Sequence, residues 1–300
     1  MNASKLFLII TCSACLILAS CCAPQPDSFK VVFFTDVHLT DTDVARKGFH
    51  AAVEKINATQ PDFCISGGDN TGFAKGTSLK QVDKVNRMYT TMVRGIDARV
   101  NAARGNHELL HHYNDSACIK NYMKGPAYYS FDYEGWHFMI LNGVKEKNGV
   151  YVGEIDARQM NWIKKDLAAV ASEMPIVVVS HIPFQTVFRQ RYFNATKKVS
   201  EALIINNNQD VLGLFEAHNL KLVLQGHTHI FEDINVGGVR YITGGAVSGA
   251  WWKGPRFHTK QGFLSLTFLA DDFDVEYVTI NDSRATGIIS PLPEPFYSST

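Results

Sequence analysis

Apolar and polar positions alternate in blocks along this chain, and the blocks predict mixed strands and helices. Residues 29–35, 63–66, 176–180 and 222–225 are short, nearly all apolar runs of the kind that form buried strands. Between the first two, residues 43–59 place Phe49, Ala52, Val53 and Ile56 on one helical face, with Asp43 as the N-cap. Residues 78–94 predict a second helix, followed by a short strand running into 101–104. A helix is also expected over 115–123, another over 156–171 and another over 209–218. Three hairpins follow from alternation broken by turn residues: 128–133 with 136–141 about Glu134-Gly135, 230–236 with 239–243 about Gly237-Gly238, and 262–269 with 273–280 about 270–272. The β-α-β rhythm of the first half gives way to hairpins in the second. That change suits a sandwich of two mixed sheets better than one doubly wound sheet.

The polar residues at the ends of these runs carry the chemistry. Five motifs stand directly after apolar segments: Asp36-x-His38, Gly68-Asp69-Asn70, Gly105-Asn106-His107-Glu108, His181, and Gly226-His227-x-His229. In an open α/β sheet the carboxyl ends of the strands share one edge, so these residues would meet in one place. The glycines beside Asp69 allow the tight turn that would aim its carboxylate. Imidazole suits Zn, Fe or Mn, and carboxylate or amide oxygen suits harder cations such as Mg. No cysteine joins the set, which argues against a closed thiolate zinc site. Seven candidate ligands exceed one tetrahedral ion and match two ions sharing a bridge, with Asp69 as the natural bridging carboxylate.

Taken as a set and in this order, the motifs resemble the calcineurin-like metallophosphoesterase superfamily over residues 29–243. The resemblance implies a four-layer α-β-β-α sandwich and a hydroxide between two divalent ions as nucleophile. Carried over by position, it implies Asp36, His38, Asp69 and His229 on one ion. It implies Asp69, Asn106, His181 and His227 on the other. His107 would protonate the leaving oxygen, and Asn106 would help stabilise phosphoryl charge. Purple acid phosphatases of the superfamily carry Tyr three residues after the bridging Asp. Gly72 stands there, so a Tyr-ligated ferric ion is not expected. The motif spacing is most similar to bacterial cyclic-nucleotide-phosphodiesterase-like members. A phosphomonoesterase or nucleotide hydrolase for phosphate scavenging is the alternative, and a non-catalytic binding lipoprotein is the competing class. The intact ligand set, with His107 present, argues against that last reading.

The amino terminus reads as a targeting segment. Lys5 precedes an apolar run over residues 6–18, too short for a span of about 20 residues. Leu18-Ala19-Ser20-Cys21 looks like a bacterial lipobox, with cleavage before Cys21 and lipid on it. An ordinary secretory signal with an incidental Cys21 is the other reading. The expected organisation is a signal peptide over 1–20, a lipidated tether over 21–28 and one catalytic domain over 29–300. The product would be exported and held on a bacterial membrane, in the periplasm or at the cell surface. Removing Lys5 changes the net charge from +0 to −1. No basic face appears, so nucleic acid is not the expected partner. A phosphate-ester small molecule, such as a nucleotide, is. Cys22, Cys64 and Cys118 show no disulfide framework, and Cys64, inside a strand, reads as an inert buried thiol.

Six further residues have two readings each. His111 and His112 could touch substrate or sit in an exposed loop. Arg189 and Arg191, in a loop after His181, could fork onto phosphate or be solvated. The small residues of 244–250 would let a loop approach the 226–229 turn. Trp251 and Trp252 after it could stack on a flat group or cap the core.

Overall fold

The computed structural model describes residues 28–72, 77–108, 125–194, 196 and 198–280. The signal segment, Cys21 and its tether, Cys22, Cys118, His111, His112 and the helix expected over 115–123 lie outside the described residues.

Two sheets pack face to face. The first holds β1 (Phe29–Phe34), β2 (Phe63–Ser66), β3 (Arg99–Ala102), β12 (Gly262–Phe268) and β13 (Phe273–Thr279) in the order β13-β12-β1-β2-β3. β1, β2 and β3 run parallel, and β12 and β13 close one edge antiparallel. The second sheet has the order β10-β11-β9-β8-β5-β4. It uses β4 (Tyr129–Tyr133), β5 (Trp136–Ile140), β8 (Pro175–Ser180), β9 (Asn219–Gln225), β10 (Phe231–Val236) and β11 (Val239–Gly244). β5, β8, β9 and β11 are parallel; β4 and β10 are antiparallel edges.

Strand alternation explains the layers. Phe29, Val31 and Phe33 of β1 meet Val177, Val179, Leu222 and Leu224 of the second sheet between the sheets. Val32 and Phe34 face outward, onto Phe49, Ala52 and Ile56 of α1 (Asp43–Ala58) and Val82 and Val85 of α2 (Leu79–Val93). On the far side Met139, Ile176, Val178 and Val223 cover Ile163 and Leu167 of α3 (Ala157–Leu167). Strands that are apolar on both faces have helices or a second sheet on each side. This is the four-layer α-β-β-α sandwich expected from the motifs.

Three local corrections have plain causes. Thr42, in extended backbone, caps α1 by accepting from the Ala45 N–H at 3.4 Å. Asp43 is instead its first helical residue, where its charge suits the helix amino terminus. α3 ends at Leu167, and 168–170 continue only as hydrogen-bonded turns. A further hairpin, β6 (Val144–Lys147) and β7 (Val150–Gly153), was not anticipated. Its turn, Asn148-Gly149, has both residues left-handed, as a type I′ hairpin requires. Cys64 is buried, and burial pushes its thiol up to about 12, so the expected inert state holds.

One polar cluster around the buried His137 ties α3 to the sheet edge. His137 on β5 bonds Asp132 at 2.6 Å through Nδ1 and Asp166 at 2.8 Å through Nε2. The Ser130 hydroxyl donates to Asp166 at 2.7 Å. Burial alone would lower the imidazole's pKa, but the bonds and charges of Asp166 and Asp132 outweigh it and raise it. A group raised on folding stabilises fully below its unfolded value of about 6.5 and loses that contribution as pH climbs through the raised one. The stability gap between the wild type and His137→Gln in urea should therefore be larger at about pH 5.5 than at about pH 9. A gap that stays level or widens with pH would refute the charged cluster.

Candidate metal centre

The carboxyl ends of β1, β2, β3, β8 and β9 converge, and they bring the sequence-nominated residues together. Asp36, His38, Asp69, His181 and His229 are almost wholly buried there, and His107 is 26 % exposed. The backbone has to bend sharply to do this. Asp36, His38, Asp69, His227 and His229 all have positive φ, between 43° and 72°. They are five of the eleven non-glycine residues with positive φ among the described residues. Left-handed backbone outside glycine costs of order 1–3 kcal/mol each and clusters where function over-determines it. Two glycines permit the closest approach. A Cβ on Gly68 (φ +98°) would meet the Gly105 nitrogen at 2.5 Å, and a Cβ on Gly105 would meet Asp69 Oδ1 at 2.1 Å.

Each carboxylate splits its two oxygens. Asp36 Oδ2 accepts from the Thr35 hydroxyl at 2.8 Å and the His227 N–H at 3.0 Å. Its Oδ1 is buried without a hydrogen-bond partner and lies 3.2 Å from His229 Nε2 and 3.6 Å from His38 Nε2. Asp69 Oδ1 accepts from the His107 N–H at 2.8 Å. Its Oδ2 faces His181 Nε2 at 3.3 Å, His38 Nε2 at 3.6 Å and His107 Nε2 at 3.9 Å. Asn106 Oδ1 is 3.3 Å from His181 Nε2.

Two of the imidazoles are aimed from behind. His181 Nδ1 donates to the Gly67 carbonyl at 2.9 Å, and His229 Nδ1 donates to the Gly249 carbonyl at 2.6 Å. Each Nε2 therefore points inward, the arrangement that presents a lone pair to a metal. The Nε2 atoms of His38 and His229 stand 2.9 Å apart. Three groups are close enough to share an ion: Asp36, His38 and His229; Asp69, His181 and His227; and His38, Asp69 and His107. The first two match the expected pair of sites, with Asp69 positioned between them. The donor set, one orphaned buried carboxylate oxygen and inward lone pairs, fits two divalent ions.

Charge explains the remaining chemistry. Burial would raise both carboxyls, but His229, His181 and His38 hold Asp36 well below the usual range. His181, His107 and His38 do the same for Asp69. Burial would lower His181, yet Asp69 and Asp36 lift it to about 10. Burial and the neighbouring His181 push His227 down to about 3. Without metal, a proton on His181 offsets the buried carboxylate charge, and a bound ion would take its place.

Glu108 is a residue the sequence quoted and left without a role. Its carboxylate accepts from the N–H groups of Asp69 at 2.9 Å, Asn70 at 2.8 Å and Gly105 at 2.7 Å. It clips the Asp69 turn to the Asn106–His107 turn. Its place three residues after Gly105 was the available signal.

The outer positions separate. Trp252 is 8 % exposed and donates to the His38 carbonyl at 3.1 Å, so it packs. Trp251 is 45 % exposed, and its ring lies 4.5 Å from that of His229. The small-residue loop does approach the site: Ser248 Oγ donates to the Asp36 carbonyl at 2.7 Å. Arg189 and Arg191 lie not in a loop but on the short helix α4 (Phe188–Tyr192), over the rings of Phe193 and Tyr192. Among the described residues neither contacts the clustered ligands. Arg256, which the sequence did not flag, does reach the metal-bearing turn, with Nε donating to the Thr228 carbonyl at 3.2 Å.

Comparison with known proteins agrees with this geometry. The family model for calcineurin-like phosphoesterase matches residues 29–231. A probable cyclic nucleotide phosphodiesterase of Rhodococcus erythropolis (strain PR4 / NBRC 100887) is 20 % identical over 229 residues, 72 % of this chain and 69 % of its own length. Among solved structures, a dimetal phosphatase from Danio rerio superposes with TM-score 0.65 at 14 % identity, over 85 % of this chain and 97 % of that one. GAP50, the anchor in the inner membrane complex of Plasmodium, superposes with TM-score 0.57 at 14 % identity over 90 % of each chain.

Glu108→Gln would replace one accepting oxygen with an amide that faces a backbone N–H. Folding stability in urea should fall by about 1–3 kcal/mol, the usual cost of a buried donor left unmet. An unchanged midpoint and slope would show that the clip is dispensable.

Proposed function

The chain belongs to the calcineurin-like phosphoesterase family of metal-dependent phosphoester hydrolases, and we propose that it is an exported member acting on phosphodiesters of the cyclic-nucleotide kind. The observation that carries the chemistry is the unpartnered Asp36 Oδ1 facing two inward imidazoles, His38 and His229, whose Nε2 atoms stand 2.9 Å apart. The likeness to the Rhodococcus protein supports the diester preference.

In this reading Asp36, His38, Asp69 and His229 hold one ion, and Asp69, Asn106, His181 and His227 the other. A bound pair of divalent ions supplies Lewis-acid charge and an activated water. The residues do the rest. Asp69 keeps both sites at one spacing, because its Oδ1 is pinned by the His107 N–H while Oδ2 faces the cluster. Asn106 presents its amide at the second site and to the phosphoryl oxygens. His107, the partly exposed imidazole of the group, stands where it can hand a proton to the leaving oxygen. Trp251 walls the site beside His229.

Export and lipid attachment at Cys21 rest on Leu18-Ala19-Ser20-Cys21. Cys21→Ser should release an active domain into the soluble fraction. A variant that stays with the membranes would overturn the lipid anchor.

Purified protein should hydrolyse bis-p-nitrophenyl phosphate faster than p-nitrophenyl phosphate. Chelation should abolish the rate, and Mn²⁺ should restore it. His107→Ala should keep its metals and lose about 10²–10⁴-fold, with a larger loss on alkyl than on nitrophenyl esters, whose leaving group needs no proton. Equal losses on both ester types would remove His107 from the acid role. Metal-loaded wild type inert on every phosphate ester would remove the hydrolase reading.

A further inference from the structure

We propose that Arg256 is the anion clamp of this site, the side chain that grips the substrate phosphoryl group beside the metal-bearing turn at 226–229; this rests on the phosphoesterase reading.

Arg256 is placed by a rigid turn. Its N–H donates to the Thr259 carbonyl at 3.0 Å, and the Thr259 N–H returns to its own carbonyl at 2.9 Å. The Thr259 hydroxyl in turn accepts from the Phe231 N–H at 2.9 Å, tying the turn to β10. The guanidinium carbon lies 4.7 Å from the ring centre of Trp251, 5.3 Å from Phe257 and 5.9 Å from Phe188. Among the described residues, the hydrogen bond of the Arg256 side chain runs from Nε to the carbonyl of Thr228, the residue between His227 and His229. Both Nη groups are left without a hydrogen-bond or ion-pair partner among the described residues.

Three other arginines are spent on carboxylates. Arg46 pairs with Asp41 and Asp43, Arg87 with Asp83, and Arg240 with Asp233. Arg256 has no such carboxylate, although it is partly buried. Three rings and one carbonyl fix its plane, and its fork stays unspent on the rim of the centre. A guanidinium presents paired N–H groups that match phosphate oxygens. Burial depresses Arg256, and Asp36 of the centre offsets it, which places the guanidinium within the electrostatic reach of that centre. Trp251 then has a defined duty: it is the platform between His229 and the guanidinium. Arg189 and Arg191 of α4 lie over the rings of Phe193 and Tyr192.

The test uses the full Mn²⁺-loaded protein with Arg256→Ala and Arg256→Lys beside the wild type. Melting temperature, metal content, kcat/KM on bis-p-nitrophenyl phosphate and calorimetric affinity for inorganic phosphate are measured. Arg256→Ala should keep its metals, lose about 10–100-fold in kcat/KM and weaken phosphate binding to a similar degree. Added guanidinium ion should restore part of the rate, which loss of packing alone would not allow. A folded, metal-loaded Arg256→Ala within about twofold of wild type on both measures would overturn the clamp. Should Arg256→Ala fail to fold, Arg256→Lys decides: it keeps the charge and stem but not the fork. It should lose about tenfold, and wild-type values would overturn the proposal. Failure of the wild type on all phosphate esters retires the hydrolase reading, whereas an active wild type indifferent to Arg256 retires the clamp alone.

Discussion

Two buried carboxylates, Asp36 and Asp69, set the terms for the rest of this molecule. Burying an ionised carboxylate is costly unless it is paired and hydrogen-bonded. The solution is the same at both. One oxygen is tied to the protein by backbone N–H or hydroxyl donors, and the other is turned into a ring of imidazoles. The tied oxygen fixes the carboxylate plane, and the free one is the coordinating atom. An arrangement built only for stability would satisfy both oxygens. Leaving Asp36 Oδ1 bare in a buried place is an unfavourable choice that a bound cation would reverse.

This requirement reaches back into the fold. Each carboxylate takes at least one donor from a distant segment. His227 N–H, from the second sheet, serves Asp36 of the first, and the Gly67 carbonyl of the first sheet aims His181 of the second. The spacing between sheets, set by Phe33, Val179, Leu224 and their neighbours, therefore fixes the spacing of the site. Glu108 adds a third turn, so a slip of any strand would misplace donors and acceptors together. Left-handed backbone at Asp36, His38, Asp69, His227 and His229 persists because this network over-determines it.

What the sequence revealed follows from the same physics. Strands apolar on both faces, helices with one apolar face and the Glu134-Gly135 and Gly237-Gly238 turns were legible because local pattern and tertiary burial agree. The clustered ligands were legible because they follow strands directly. The hairpin of β6 and β7 was not: Lys145, Glu146 and Lys147 are polar and break the apolar pattern of a strand, and only Asn148-Gly149 marks the turn. α4 is five residues long, below what periodicity can detect. The carbonyls of Gly67 and Gly249 that aim the imidazoles are backbone atoms, which no residue type announces. Glu108 and Arg256 act through angles and distances set by distant turns, so spacing along the chain carries little of their role.

The division of labour between sheet edge and rim bears on how one fold serves many substrates. The ligands sit on strand ends, the most rigid positions, and depend on both sheets at once. The rim is built separately, from the segment after His181 and the segment after β11. Gln225 pins the first through Phe184 N–H at 2.9 Å and the Gln185 carbonyl at 2.6 Å. Glu232 adds Thr186 at 2.7 Å and Val187 at 3.0 Å. Tyr192 and Phe257, stacked at 4.3 Å, join the two segments into one wall. Exchange of its outer part, at Tyr192 and Phe257, would leave the carboxylates and imidazoles in place, whereas Ser248, Gly249 and Trp252 hold the inner part to Asp36, His229 and His38. Chemistry and selectivity can therefore vary independently here, since function resides in sites carried by a fold and not in the fold itself.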